Sequence, residues 1–311
     1  RKEEGLIRLK KYAPLLVILA GCLWGSMGLF VRTFNAIGLE SMQISAIRAA
    51  CSAILLLLVL PFYDKTLLRI RLRDLWCFLG SGICSMTMFN YCYFRTIELT
   101  SLSVAAIMLY TAPIFVMLLS AKLFGEKITR RKLVALALAF TGCLLVSGVL
   151  AGGTARLSPL SLLLGLGSGF GYALYSIFSR FALNRGYHSL TITLYTFIFA
   201  GISSLLLAER APILNLLAAG QPLQIIFMIF FAIVTSVAPY LSYTLGLVHV
   251  ENAKASVIAS IEPVMATLFG FFFFQELPTL SGFVGMLLVL SAVFLLSRPE
   301  KQKKILLPQK R

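Results

Sequence analysis

Residues 99–126 read LTSLSVAAIMLYTAPIFVMLLSAKLFGE, and residues 250–276 read VENAKASVIASIEPVMATLFGFFFFQE. With an offset of 150 and no gap, Ala105 falls on Ala255, Pro113 on Pro263, Phe124 on Phe274, Glu126 on Glu276 and Thr129 on Thr279. Solenoid repeats recur every 20–50 residues or so. The longer offset here divides the chain into two related halves, each holding an apolar helix with a proline inside it and a glutamate just past its end.

Composition sets the class. The chain has 311 residues, 59% of them hydrophobic and 13% charged, where a soluble domain carries about 25% charge. A soluble fold has no surface on which to place residues this apolar, and the apolar runs reach the roughly 20 residues that cross a bilayer. The formal net charge of +16 does not point to nucleic acid, because the basic residues sit in short segments between apolar runs, where they act as topology signals. Cys22, Cys51, Cys77, Cys84, Cys92 and Cys143 all lie inside apolar segments without CxxC spacing, so they read as small buried hydrophobes and not as a disulfide or metal framework. The first apolar run continues to spanning length, which a cleavable signal peptide does not do.

Ten spans are expected: Ala13 to Val31, Met42 to Leu60, Leu75 to Phe94, Leu102 to Leu119, Leu133 to Leu150, Leu160 to Phe178, Leu190 to Leu207, Ile225 to Leu245, Ala255 to Phe273 and Leu280 to Leu296. The segment AGGTARLSP, with its Gly pair and Pro, reads as a linker between halves 1–150 and 151–311. With the N-terminus inside, 23 Lys and Arg lie in inward segments, against Arg32, Arg95, Arg156 and Arg210 outside. The positive-inside rule therefore expects both termini in the cytoplasm. Five spans is an odd number, so the second half must enter the membrane the opposite way round. Such inverted repeats build alternating access around a site near the midplane. A second offset, of 148, aligns Arg32 with Arg180, Gly38 with Gly186, Ser41 with Ser189, Ile44 with Ile192 and Trp24 with Tyr172. No selectivity-filter sequence is visible, which favours a secondary transporter over a channel.

Span 1 (AGCLWGSMGLFVR), span 4 with its sequel (SVAAIMLYTAPIFVMLLSAKLFGEKITRRKLVALALAFTGCLLV) and span 9 (KASVIASIEPVMATLFGFFFFQELPTL) resemble the EamA-type ten-span exporters of the drug/metabolite transporter superfamily, over essentially the whole chain. The resemblance implies an all-α integral membrane protein of ten transmembrane helices, built as two inverted five-helix repeats. Helices 1, 3, 4, 6, 8 and 9 would surround a central cavity, with 5 and 10 peripheral. It also implies export of amino acids or other small metabolites across a bacterial inner membrane.

Several residues stand out as candidates. Glu126 and Glu276 end spans on opposite faces, either as anchors and caps or as gates; Glu276 has no basic neighbour in sequence, so its partner must come from elsewhere. Pro113 and Pro263 are expected to kink their helices and free the carbonyls of Leu109 and Ala259. Glu262, whose counterpart is Ala112, is an intramembrane carboxylate and so a functional candidate by default. It either braces the kink or takes part in proton coupling. Arg48 inside span 2 needs a carboxylate or carbonyl partner, or else binds a substrate carboxylate. The expected pocket draws on Trp24, Asn90, Tyr91, Tyr110, Tyr172, Tyr175 and Tyr240, while Tyr243 and Tyr12 are assigned to the interfacial belts. Lys254 and Glu251 read as a solvated pair. Gly21, Gly25 and Gly28 in span 1, and Gly165 to Gly171 in span 6, allow close helix approach.

There is no Walker A, HExxH or GxSxG sequence, and Asp occurs only at Asp64 and Asp74. An enzyme is not expected, nor a cofactor, a metal or a nucleic-acid partner. The expected partners are a small-molecule substrate, the lipid bilayer and protons as coupling ion, with the chain a monomer or weak homodimer. Amino-acid export is the leading expectation. The alternatives are uptake or exchange of an amine, nucleoside or drug, and a passive channel.

Overall fold

The computed structural model describes residues 2–148 and 158–298, with side chains from residue 12 onward. Most of the expected linker, Arg156 within it, and the basic tail beyond Arg298 lie outside the described residues. The described chain is helical, with no strand. Its helices are α1 (Lys2–Gly25), α2 (Met27–Ala36), α3 (Ser41–Tyr63), α4 (Leu75–Leu79), α5 (Met88–Leu99), α6 (Leu102–Leu109), α7 (Ala112–Phe124), α8 (Arg130–Val146), α9 (Pro159–Asn184), α10 (Ser189–Leu207), α11 (Arg210–Ala219), α12 (Pro222–Ala232), α13 (Ala238–Leu247), α14 (Asn252–Ala259), α15 (Glu262–Phe274) and α16 (Leu280–Ser297).

Joined end to end where they continue one another, these make eight helices long and apolar enough to cross a membrane: Tyr12–Ala36, Ser41–Tyr63, Leu102–Phe124, Pro159–Asn184, Ser189–Leu207, Pro222–Leu247, Asn252–Phe274 and Leu280–Ser297. The protein is thus a multi-pass, all-α membrane protein. The other two expected spans are also helical. One runs from α4 to α5 and carries Arg95 and Glu98 near its end. The other, α8, is 17 residues long and opens on Arg130, Arg131 and Lys132.

Residues 150 apart share local structure. Thr129 Oγ1 accepts from the Lys132 N–H at 3.3 Å and caps α8, and Thr279 Oγ1 accepts from the Gly282 N–H at 3.1 Å and caps α16. Gly125 and Gln275 both end their helices in the left-handed conformation, at φ 69° and 58°. Pro113 and Pro263 are each the second residue of a new helix, α7 and α15. The prolines therefore break their spans at Tyr110–Thr111 and Ser260–Ile261, a stronger effect than the expected kink, because a ring at the second position suits a helix start whose N–H has no partner to lose.

Two π-helical stretches, which sequence reading did not foresee, interrupt two further helical runs: Gly80–Thr87 between α4 and α5, and Ile233–Val237 between α12 and α13. They coincide under the 150 offset. The first is fastened to α10 by Ser81 against Thr196 and by Thr87 against Ser203, both at 2.6 Å.

Lipid tails are as apolar as leucine, so packing and hydrogen bonds hold such helices together. A Cβ on Gly21 would lie 2.8 Å from the Ala259 carbonyl oxygen, and one on Gly169 would lie 2.8 Å from that of Met108. The glycine faces of α1 and α9 thus seat directly on the two helix breaks. α8 and α16 pack against each other where Gly142 meets Gly285, and the Arg131 guanidinium donates to the carbonyls of Leu295 and Arg298.

Candidate functional site

The bundle interior is aromatic and polar. Trp24, one residue before the end of α1, packs its ring against Tyr240 at 5.1 Å, Tyr243 at 5.4 Å and Tyr172 at 6.1 Å. Tyr175 packs on Tyr240 at 4.9 Å, and Phe89 packs on Tyr172 at 5.4 Å. Edge and tilted contacts of this kind set the positive ring edge against a negative ring face. The rings and Ser85, Met86 and Ser176 enclose a cavity of about 20 Å³, enough for about one water. Substrate pockets occupy roughly 300 Å³ or more, so the cavity as it stands is too small to hold a metabolite.

Hydroxyl contacts fix two of the rings. Tyr175 OH meets Thr244 Oγ1 at 2.7 Å, and Tyr243 OH meets Ser176 Oγ at 2.8 Å. Trp24 Nε1 is buried and has no hydrogen-bond partner among the described residues. The same holds for Nε of Arg48, which is 4% exposed and whose Nη1 donates to the Thr235 carbonyl at 3.5 Å, within the second π-helical stretch. Arg48 also interacts electrostatically with Tyr240 and Glu262. Glu262 is the first residue of α15. Tyr172 OH donates to its Oε2 at 3.4 Å, and Tyr93, Tyr110 and Tyr240 lie within electrostatic range of it. An intramembrane cation and carboxylate thus lie behind two rings of the aromatic cavity, Arg48 hydrogen-bonded to Tyr240 and Glu262 to Tyr172.

Of the expected pocket residues, Trp24, Tyr172, Tyr175 and Tyr240 line this cavity. Tyr110 is partly buried against the same core and faces Glu262. Asn90 is buried but does not line the cavity. Tyr91, 46% exposed, is turned outward and is not brought to the site. Tyr243, expected in an interfacial belt, is 3% exposed and belongs to the cavity, whereas Tyr12 is 50% exposed. Tyr243 lies three residues after Tyr240, a spacing that puts both on one helix face. That signal was available in sequence, as it was not for Ser85 and Met86.

The two repeated glutamates sit at opposite ends of the bundle. At one end Arg32 Nη1 meets Glu276 Oε1 at 2.7 Å, with Arg32 also over the Phe274 ring at 4.2 Å. At the other, Glu126 accepts from the Asn252 N–H at 2.8 Å and the Ala253 N–H at 3.1 Å, capping α14. Arg180 donates to Asn252 Oδ1 at 2.9 Å and the Val250 carbonyl at 2.6 Å, and Lys132 pairs with Glu251 at 2.5 Å. Glu251, expected opposite Lys254, is therefore engaged by Lys132. Arg32 and Arg180 coincide under the 148 offset, and Glu126 and Glu276 under the 150 offset. The same residue types thus recur at both ends.

Fold and interior together define a multi-pass membrane protein with a small aromatic cavity between its helices. The chain belongs to the EamA-like transporter family, whose model matches it twice, over residues 11–148 and 159–298. It is 28% identical to an uncharacterized transporter of Archaeoglobus fulgidus over 93% of this chain and 97% of that one. It is 27% identical to an uncharacterized transporter of Helicobacter pylori, over 93% and 96%, and 24% identical to the uncharacterized transporter YxxF of Bacillus subtilis, over 92% and 89%. A crystal structure of a protein 17% identical in sequence superposes with a TM-score of 0.73 over 91% of this chain and 95% of that one, showing the shared fold.

Proposed function

We propose that this transporter is a secondary active exporter of small zwitterionic metabolites, amino acids above all, working by alternating access in a bacterial inner membrane with both termini cytoplasmic. In this reading the chain crosses ten times, and residues 1–150 and 151–311 are inverted five-helix repeats.

The observation that carries the proposal is the cavity of Trp24, Tyr172, Tyr240 and Tyr243, with Arg48 beside its Tyr240 and Glu262 beside its Tyr172. Arg48 Nε and Trp24 Nε1 are buried donors without partners, and a buried unsatisfied donor is costly unless a ligand meets it. A substrate carboxylate satisfies them. A substrate ammonium meets Glu262 and the faces of the aromatic rings, and the side chain packs among the rings. When the site is empty, Glu262 is left without the ammonium, and a proton takes its place on the carboxylate. Exchange of proton for substrate at Glu262 couples the two.

Access alternates through the two closures. Releasing Arg32 from Glu276 opens one end, and releasing Glu126 and Arg180 from the Val250–Ala253 turn opens the other. The helix breaks and π-helical stretches provide the points at which the cavity helices bend, as such features often do at functional sites.

The test is counterflow of labelled amino acids in proteoliposomes, with and without an imposed pH gradient. The proposal requires saturable exchange of an amino acid that is weakened by Trp24→Ala. It also requires that Glu262→Gln abolish the response to the gradient. Flux that never saturates would make the protein a channel. Exchange of an amine or nucleoside but no amino acid, by folded protein, would overturn the substrate class.

A further inference from the structure

A second cavity lies far from the aromatic site, at the bundle end where Glu126 caps α14. It encloses about 370 Å³ and is lined by the loop between α3 and α4 together with the turn from α9 into α10. Its walls are built. Thr191 Oγ1 donates to the Leu67 carbonyl at 2.8 Å, and Tyr195 OH donates to the Leu68 carbonyl at 2.7 Å. Tyr187 OH accepts from the Arg71 N–H at 3.0 Å and donates to Asp74 Oδ2 at 2.8 Å. Arg185 Nε meets Asp74 Oδ1 at 3.0 Å, and its guanidinium lies over the Trp76 ring.

Arg69, Arg71, Arg185 and His188 all contribute to the lining. Two carboxylates border it, and both are engaged. Asp74 is buried and held by Arg185 and Tyr187, while Asp64 accepts from the N–H and hydroxyl of Thr66. Neither Arg69 nor Arg71 forms an ion pair among the described residues. The first turn of α10 also opens on the cavity, with His188 as its cap, adding the partial positive charge of a helix start.

The chain flanking the cavity is apolar and bare: Phe62 is 92% exposed, Tyr63 75% and Leu72 85%. Such side chains at the end of a membrane span belong in lipid, which sets the cavity mouth at headgroup depth. Basic pockets between spans on the cytoplasmic side suit anionic lipid heads, and guanidinium forks match phosphate oxygens in pairs. We propose that this cavity binds the phosphate of an anionic phospholipid, with Arg69 and Arg71 as its free ligands and the Asp74–Arg185–Tyr187 cluster as its frame. The proposal stands independently of what the aromatic cavity transports.

The test is native mass spectrometry of the detergent-purified full chain titrated with short-chain phosphatidylglycerol, with phosphatidylcholine or with inorganic phosphate. Wild type is expected to bind phosphatidylglycerol over phosphatidylcholine, and Arg69→Gln/Arg71→Gln to lower that affinity about 30-fold. Lys122→Gln/Lys127→Gln removes the same charge from exposed positions outside the cavity and is expected to change little. Equal losses in the two double variants would overturn the site by reducing it to general charge attraction. Inorganic phosphate that displaces the lipid only in proteins retaining Arg69 and Arg71 would support the phosphate contact. Inorganic phosphate binding there as tightly as the lipid would overturn the assignment to lipid.

Discussion

Gly25 and Gly28 sit one turn apart in the first span, yet substituting each with alanine should have opposite results. A Cβ on Gly25 would lie 2.6 Å from Met265 Cβ, 2.8 Å from the Glu262 carbonyl oxygen and 3.0 Å from the Ala266 nitrogen. Carbon contacts are comfortable at about 3.5–4.0 Å, so α1 and α15 would have to separate by roughly 1 Å. Two of the three obstacles are backbone and cannot rotate away. Overpacking of this kind costs about 1–3 kcal/mol, against a gain of about 0.5–1 kcal/mol from exchanging glycine for alanine within a helix. Gly28 has nothing within 4 Å of the same construction, so only the gain applies there. Gly25→Ala should therefore be less stable than wild type by about 1–2 kcal/mol, and Gly28→Ala equal or more stable. The assay is thermal denaturation of the purified variants in one detergent, followed by counterflow. The displaced contact is at Glu262 itself, so Gly25→Ala should also lose more transport than its loss of folded protein explains. Equal midpoints and equal transport for the two variants would refute the packing of α1 on α15.

Three further outcomes follow from the ends of the bundle. Glu126→Gln, which loses a carboxylate taking two backbone N–H groups at a helix start, should cost about 1–2 kcal/mol in thermal unfolding. Glu276→Gln loses a pair whose side chains are 52% and 54% exposed, and should cost under about 1 kcal/mol. Donation by the Thr66 hydroxyl and backbone N–H holds the Asp64 carboxyl below its usual range. A group lowered on folding stabilises above its unfolded pKa and loses that contribution as pH falls through the folded value. The stability gap between wild type and Asp64→Asn should thus be widest near neutral pH and close in acid, as unfolding followed against pH would show.

Much of this architecture is legible in the sequence because proline, threonine and glutamate act locally. Pro113 and Pro263 mark where two spans are interrupted, and the alignment of Thr129 with Thr279 marks equivalent points in the two halves, both of which cap helices. Glu276 ends a span with no basic neighbour, and its partner is Arg32, 244 positions away, where no local rule reaches. The π-helical stretches were invisible for a different reason. They change turn geometry without a signature in residue type, and an added residue rotates the helix beyond it by about 100°. Asn90 and Tyr91, expected in the pocket, follow Phe89, which lines it, on the same helix beyond the first stretch, and so point about 100° and 200° away from it. Tyr243 was misassigned because an aromatic near the predicted end of a span fits an interfacial belt equally well. Only its packing on Trp24 decides the matter.

The central claim is that the aromatic cavity beside Arg48 and Glu262 binds the transported zwitterion, and Trp24 can report on it. The chain has two tryptophans, and Trp76 lies outside the cavity, against Phe178 and Phe181. Trp76→Phe therefore leaves Trp24 as the sole emitter. The decisive measurement is the Trp24 fluorescence of this variant, titrated with an amino acid that exchanges in counterflow and with its decarboxylated amine. The account predicts a saturable change with the amino acid, none with the amine, and none with either after Arg48→Gln. An amino acid that exchanges in counterflow while Trp24 emission stays flat, or an equal response to amine and amino acid, would contradict it.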